Sequence, residues 1–288
     1  MRISTRMLQQ NALRGLRTNL NLLSRAQDQA VDGRRIHTVS DDPVDAAQVM
    51  RLDAEVNDLD RYRRNGVAGT LRMSAEDLVL SSVQSLLTQA HNLALSVASF
   101  PPGDPQRQTA LNQVELIRQQ LVSLGNTRAG DQYIFGGGRS TSPPFQTDGT
   151  YVGDAKPHVI ELTAGTLLET NHTGDRIFTN ALGAVAQLAL ELQTGTTASI
   201  QAMIPVLDAA RENALSLQTE LGVRLGEVKS TGQSLAQRAA TLLDQRDRIR
   251  NVDPSEAAVN LTAAQSALER AYAAVAKVLS TNLLDYLR

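Results

Sequence analysis

The chain has 288 residues, 42% of them hydrophobic, which is enough for one large or two modest domains with a real core. A net charge of −2 argues against a bulk electrostatic nucleic-acid partner, and the absence of cysteine excludes disulfides, zinc fingers and thiol catalysis. Aromatic residues make up only 3% and tryptophan is absent, which points to long helices packed on helices rather than an ordinary enzyme core.

No segment approaches the roughly 18 apolar residues of a membrane span. The opening MRISTRMLQQNALRGLRTNL has no apolar core and no small-residue cleavage site. Export, if it occurs, is therefore expected by a route that does not read a secretory signal.

Leu13, Leu16, Leu20, Leu23 and Ala30 step by 3, 4, 3 and 7, with Gln27 at the intermediate position, a coiled-coil stripe on one helix. Arg14, Arg17, Arg25 and Asp28 lie off that stripe, and Gly33 follows as a left-handed helix stop. A second helix is expected from SDDPVD, with Asp42 as cap, Pro43 at the first helical position and Asp45 in the first turn. Val49, Leu52, Val56 and Leu59 continue it to about Ser99, with a weaker patch at RNGVAGT, and FPPGDP breaks it. A third helix is expected from Gln106 to about Leu124.

Residues 131–178 are rich in Gly, Pro and Thr, with β-prone runs YIF and HVIEL, and read as short strands and turns. A short helix is expected over 180–193, with Asn180 as cap and a loop after it. Every seventh residue from Leu207 through Ala214, Leu221, Val228, Leu235 and Leu242 to Ile249 is then apolar. That is one long helix of roughly 65 Å. Asp253, Pro254 and Glu256 repeat the device of cap, proline and early acid. The last helix carries Leu261, Ala264, Leu268, Ala271, Val275 and Val278, followed by Leu283, Leu284 and Leu287. Neither terminal stripe can bury itself alone, so the two must meet each other or other copies.

The best-looking chemical cluster is His37 with Asp41, Asp42 and Asp45. A metal would need further converging ligands, whereas helix capping accounts for Asp42, Pro43 and Asp45 directly. His91, His158 and His172 form no zinc pattern. FGGGRST lacks the lysine of a phosphate loop and is followed by Pro-Pro. RYRR is preceded by Asp53, Glu55, Asp58 and Asp60 and reads as a salt-linked helix face. No catalytic constellation, cofactor site or metal site stands out, so an interaction protein is expected rather than an enzyme. A metal-dependent enzyme at Asp41, Asp42 and Asp45 and a cytoplasmic coiled-coil adaptor are the rivals from other classes.

MRIST at the start, DGRRIHTVSDDPVDAAQVMRLDAEVNDLDRYRRN at 32–65, DQYIFGGGRSTSPPF after the third helix and DPSEAAVNLTAAQSALERAYAAVAKVLSTNLLDYLR at the end resemble the flagellin superfamily, in particular its hook–filament junction subunits. The likeness spans nearly the whole chain and is weak over 145–205. It implies a structural, extracellular subunit of the bacterial flagellum, exported through the flagellar type III channel without a cleaved signal. The implied partners are copies of itself in a ring, the neighbouring hook-associated junction protein, flagellin, and a cytoplasmic export chaperone on the C-terminal helix, with neither nucleic acid nor membrane. A flagellin that polymerises into the filament itself is the alternative. The resemblance also implies termini that order on assembly.

The expected fold is mainly α, a flagellin-like long helical coiled-coil rod from the N- and C-terminal segments with a small β-rich insert (α+β). Residues 1–40 with 253–288 are read as the terminal assembly domain, 41–130 with 206–252 as a helical rod and 131–205 as a β-rich outer domain. The assembly interface is expected at Leu13, Leu16, Leu20, Leu23, Ala30 and the C-terminal stripe from Leu261 to Leu287. Arg34, Arg35, Asp41, Asp42 and Pro43 form the expected interdomain loop. Leu268→Asp is expected to block assembly with little change in the melting of the free subunit.

Overall fold

A computed structural model describes the backbone of residues 2–286 and the side chains of residue 7 and residues 10–277. The side chains of Val278, Leu283, Leu284 and Leu287, placed in the C-terminal stripe above, lie outside the described residues. In chain order the elements are α1 (Arg2–Asp32), α2 (Pro43–Val97), α3 (Pro105–Gly125), β1 (Arg128–Ala129), β2 (Gln132–Tyr133), β3 (Val159–Thr163), β4 (Thr166–Glu169), α4 (Gly174–Thr194), α5 (Thr197–Arg250) and α6 (Pro254–Tyr286). The mainly helical class is therefore as expected, with strands confined to two antiparallel pairs. Two compact units form, one from Met1–Asp58 with Arg238–Arg288 and one from Leu59–Gln237, and α2 and α5 contribute to both.

In the first unit α1 lies against α6. The α1 helix stops at Gly33, whose φ of +70° favours glycine and whose N–H donates to the Gln29 carbonyl at 3.0 Å. The first turns of α2 and the last turns of α5 are linked by Arg246 to Asp53 at 3.2 Å and by Arg238 to Glu55. Val49 and Leu242 are buried there, while Leu52 and Ile249 are half-buried.

The second unit holds the main core, built by α2, α3, α4 and α5 around Val83, Leu87, Leu121, Leu188 and Leu221. Three of the chain's four phenylalanines meet in it. Phe178 lies edge-to-face with Phe135 at 5.3 Å and with Phe145 at 5.2 Å. The Tyr151 ring is 5.1 Å from Phe145, and its hydroxyl contacts the carbonyls of Phe135 and Asp154 at 3.0 and 2.9 Å. Burial, with Asp175 nearby, pushes that hydroxyl up to about 12.

The heptad positions of α5 are covered throughout: Leu207, Ala214, Leu221, Val228, Leu235 and Leu242 are buried and Ile249 is half-buried. The helix begins at Thr197, before the expected Leu207, with Pro205 inside it. Thr196 starts it by accepting from the Ser199 N–H at 3.2 Å. The α4 helix likewise begins at Gly174, not at Asn180, which is exposed within the helix. Of YIF, only Tyr133 joins a strand, while Ile134 and Phe135 are core residues. Residues 131–205 share the core of the second unit.

The weak patch RNGVAGT has a packing role. A Cβ on Gly69 would stand 2.7 Å from Ile160 Cδ1 and 2.9 Å from Thr170 Cγ2, so the β3–β4 hairpin approaches α2 where no side chain intervenes.

Candidate functional site

Two features of the first unit bear the residues singled out in the sequence: the α1–α6 pair and the loop 33–42 that follows α1.

The covered positions of α1 are Ala12, Leu16, Asn19, Leu23, Ala26 and Gln29, and those of α6 are Ala257, Leu261, Ala264, Ser266, Ala267, Leu268, Ala271 and Val275. All five described members of the C-terminal stripe therefore lie on the covered face. On α1 only Leu16 and Leu23 do. Leu13 and Leu20 are 52% and 41% exposed, and Ala30 is exposed as well. Leu13 and Leu20 flank the Leu16–Leu23 column on one side and Ala12 and Ala26 flank it on the other, and it is the alanine flank that is covered.

The loop is strapped to the chain between α5 and α6. Arg35 and Ile36 donate backbone N–H groups to the Arg250 carbonyl at 2.7 and 3.3 Å, and Val252 donates to the Gly33 carbonyl at 2.9 Å. Arg34 forms an antiparallel bridge with Asn251. The Arg35 guanidinium pairs with Asp42 at 3.2 Å and with Asp45, and donates to the Ile249 carbonyl at 3.1 Å. Asp42 Oδ1 accepts from the N–H groups of Val44 and Asp45 at 3.2 and 3.1 Å, the cap expected from the sequence, with Pro43 first in the helix. Asp41 accepts from the N–H groups of His37 and Thr38 at 3.1 and 2.9 Å. His37 Nε2 meets Asp32 at 2.8 Å, and Arg34 donates its N–H to the same carboxylate at 2.9 Å.

These donors lower the carboxyls. The Asp45 amide and then Arg35 hold Asp42 below its ordinary value; the Thr38 and His37 amides do so for Asp41, the Arg34 amide for Asp32, and the Ser255 amide for Asp253. A mixed-charge cleft of about 370 Å³ opens beside the loop, with Arg25, Asp28, His37 and Asp41 in its wall. The carboxylates of SDDPVD are occupied by amides and Arg35. Among the described residues no group of three or more His, Cys, Asp or Glu side chains is placed to hold a metal.

Sequence reading missed the buried polar groups of the second unit. His172 and Glu76 are fully buried, with Nδ1 2.6 Å from Glu76 Oε1 and the His172 N–H 3.2 and 3.1 Å from the two carboxyl oxygens. His172 Nε2 lies 3.2 Å from Glu220. Burial raises the Glu220 carboxyl, but His172, Arg224 and Arg176 outweigh it and hold the group below its ordinary value. Arg107, 2% exposed, donates to the carbonyls of Phe100 at 2.9 and 2.5 Å and of Gly195 at 2.8 Å. The polarity of TNHT (170–173) was the only signal for the first cluster, and it reads equally as an exposed turn.

The bacterial flagellin N-terminal helical region matches residues 3–138, and the bacterial flagellin C-terminal helical region matches residues 204–287. The chain belongs to the flagellin family. Flagellar hook-associated protein 3 of Escherichia coli (strain K12) is 26% identical to this flagellin-family chain over 95% of the chain and 96% of the relative. Flagellar hook-associated protein 3 of Salmonella typhimurium is 25% identical over 94% and 95%. A solved structure described as a putative flagellar hook-associated protein from Vibrio parahaemolyticus has the same fold, with a TM-score of 0.67 at 18% identity over 73% of this chain and 100% of that one.

Proposed function

We propose that the chain is a structural subunit of the bacterial flagellum that forms the junction between hook and filament. The end-to-end likeness to two proteins named flagellar hook-associated protein 3 carries this reading, because it spans the terminal helices and the middle of the chain alike. The fold supports a mechanical role. The two chain ends form one helix pair, and the strapped loop fixes how α1 leads into α2.

In this reading copies form a ring between the neighbouring hook-associated junction protein and flagellin. The outward residues Leu13, Leu20 and Ala30 meet neighbouring chains, and the α6 stripe is covered by a chaperone before export through the flagellar type III channel. Arg34 and Arg35 with Asp41 and Asp42 hold the joint through which load passes. The chain has no cysteine, so it can be threaded unfolded without breaking disulfides, and among the described residues no helix is long and apolar enough to cross a membrane.

The test is a deletion in a flagellated cell. Cells lacking the chain should keep hooks, lose attached filaments and release flagellin to the medium, and the restored chain should label at the hook–filament boundary. Filaments that stay attached in the deletion, or label along the whole filament, would overturn the reading.

A further inference from the structure

In the second unit the arginines Arg72, Arg107, Arg118 and Arg224 are buried or half-buried. Taking a guanidinium out of water is costly unless acceptors meet it. Arg107 is met by the carbonyls of Phe100 and Gly195, Arg118 by Glu115 and the Asp148 carbonyl, and Arg224 by Glu169 and Glu220. Arg72 is the exception. Among the described residues its one hydrogen bond is to the neutral Gln132 Oε1 on β2, at 2.8 Å, which leaves most of its N–H groups without an acceptor. Burial alone lowers its proton affinity, with no carboxylate to offset the loss.

A second nitrogen base stands beside it. Ile160 of β3 packs on Gly69 of α2, and His158, two residues earlier on the same side of the strand, is close enough to feel the Arg72 charge. His158 Nδ1 lies 3.2 Å from Thr170 Oγ1, so Nε2 is the ring nitrogen left without a partner among the described residues. Partial burial, and then the charge of Arg72, hold the imidazole below its ordinary value. The surrounding acids are engaged elsewhere. Glu76, one turn along α2, is held by His172; Glu161 of β3 pairs with Arg61; and Glu169 of β4 pairs with Arg224. Asp131, in the β1–β2 turn, is exposed and makes no ion pair among the described residues, and exposed Lys156 adds positive charge ahead of His158. A guanidinium with open N–H groups takes oxyanions through charge-assisted hydrogen bonds, and an imidazole that gains a proton donates one more.

We propose that Arg72 and His158, between β2 and β3, form a binding site for a small oxyanion, a phosphate or a carboxylate. The inference does not depend on the junction reading. The test is a pH titration of the histidine ring resonances of the free full-length chain by NMR, run in sodium phosphate and in sodium chloride at equal ionic strength. The His158 resonance is the one lost in His158→Gln. Bound phosphate offsets the Arg72 charge, so the His158 midpoint should rise in phosphate, with half of the effect reached at about 1–10 mM. His37, His91 and His172 should titrate alike in the two salts. Arg72→Gln should raise the His158 midpoint in chloride, because a neighbouring positive charge is gone, and should abolish the response to phosphate. A His158 midpoint that is equal in the two salts, or that moves no further than those of the other histidines, overturns the site. So does a phosphate response that survives in Arg72→Gln. If that variant does not fold, the comparison of the two salts on the wild-type chain decides by itself.

Discussion

Gly69 and Gly226 are both helical glycines with opposite surroundings. At Gly69 an added methyl would press on Ile160 and Thr170 of the hairpin at 2.7 and 2.9 Å, whereas at Gly226 it would meet nothing within 4 Å. Replacing a helical glycine by alanine gains about 0.5–1 kcal/mol, and overpacking costs about 1–3 kcal/mol. Crowding therefore prevails at Gly69 and chain entropy at Gly226. Thermal unfolding should show Gly69→Ala melting lower than wild type and Gly226→Ala higher. The Glu76–His172 pair is a second residue-scale test. Removing either side chain takes one hydrogen-bond partner from a fully buried polar group, at about 1–3 kcal/mol. Glu76→Ala, His172→Ala and the double variant should give a coupling energy of about 0.5–3 kcal/mol in denaturant unfolding, and strictly additive losses would show that the contact is incidental.

At the scale of elements, the link from α1 to α2 and the link from α5 to α6 are held by carboxylates. Asp32, Asp41, Asp42 and Asp253 all sit below their ordinary values, chiefly through backbone amides. The folded links therefore bind protons less readily than the unfolded chain, whose aspartates titrate near about 3.9. Their contribution is fully present above that value and is lost as pH falls through the lower folded values. Amide exchange over 33–46 and 251–257, corrected for intrinsic rates, should show weaker protection at about pH 3 than at about pH 5; equal protection would show no linkage. This joint was legible in the sequence because Asp42–Pro43 and Asp253–Pro254 are local signals, as was α5, whose period of seven repeats over 43 residues, from Leu207 to Ile249. The seam of α1 was not. Leucines lie at 13, 16, 20 and 23, and their spacing alone does not say which flank turns inward. Buried Arg107 and His172 were illegible because their partners, Gly195 and Glu76, stand 88 and 96 positions away. The start of α4 was hidden behind TNHTGD, in which Thr170, Asn171 and His172 are held by tertiary contacts to His158, Ile134 and Glu76.

At the scale of the whole molecule, the terminal pair separates folding from assembly. Sequence alone led to the expectation that Leu268→Asp would spare the free subunit. The structure changes that expectation, because Leu268 lies on the covered face of α6, and α1 and α6 meet within one chain. A carboxylate placed there enters a seam that is already formed, and its partial desolvation without a partner weakens the pair. Leu20 is 41% exposed and outside the seam, so Leu20→Asp should change unfolding by no more than about 0.5 kcal/mol. Both should lose attached filaments if the outward stripe meets neighbouring chains, but for different reasons. Leu268→Asp should also expose residues 1–32 and 254–288 to rapid proteolysis in the free chain, whereas Leu20→Asp should leave the wild-type cleavage pattern. If Leu20→Asp cells carry normal filaments, the outward leucines are solvated surface and the assembly contact lies elsewhere on the chain. If both variants digest like wild type, the α1–α6 pair is not formed in the free subunit and neighbouring copies are what bring the two helices together.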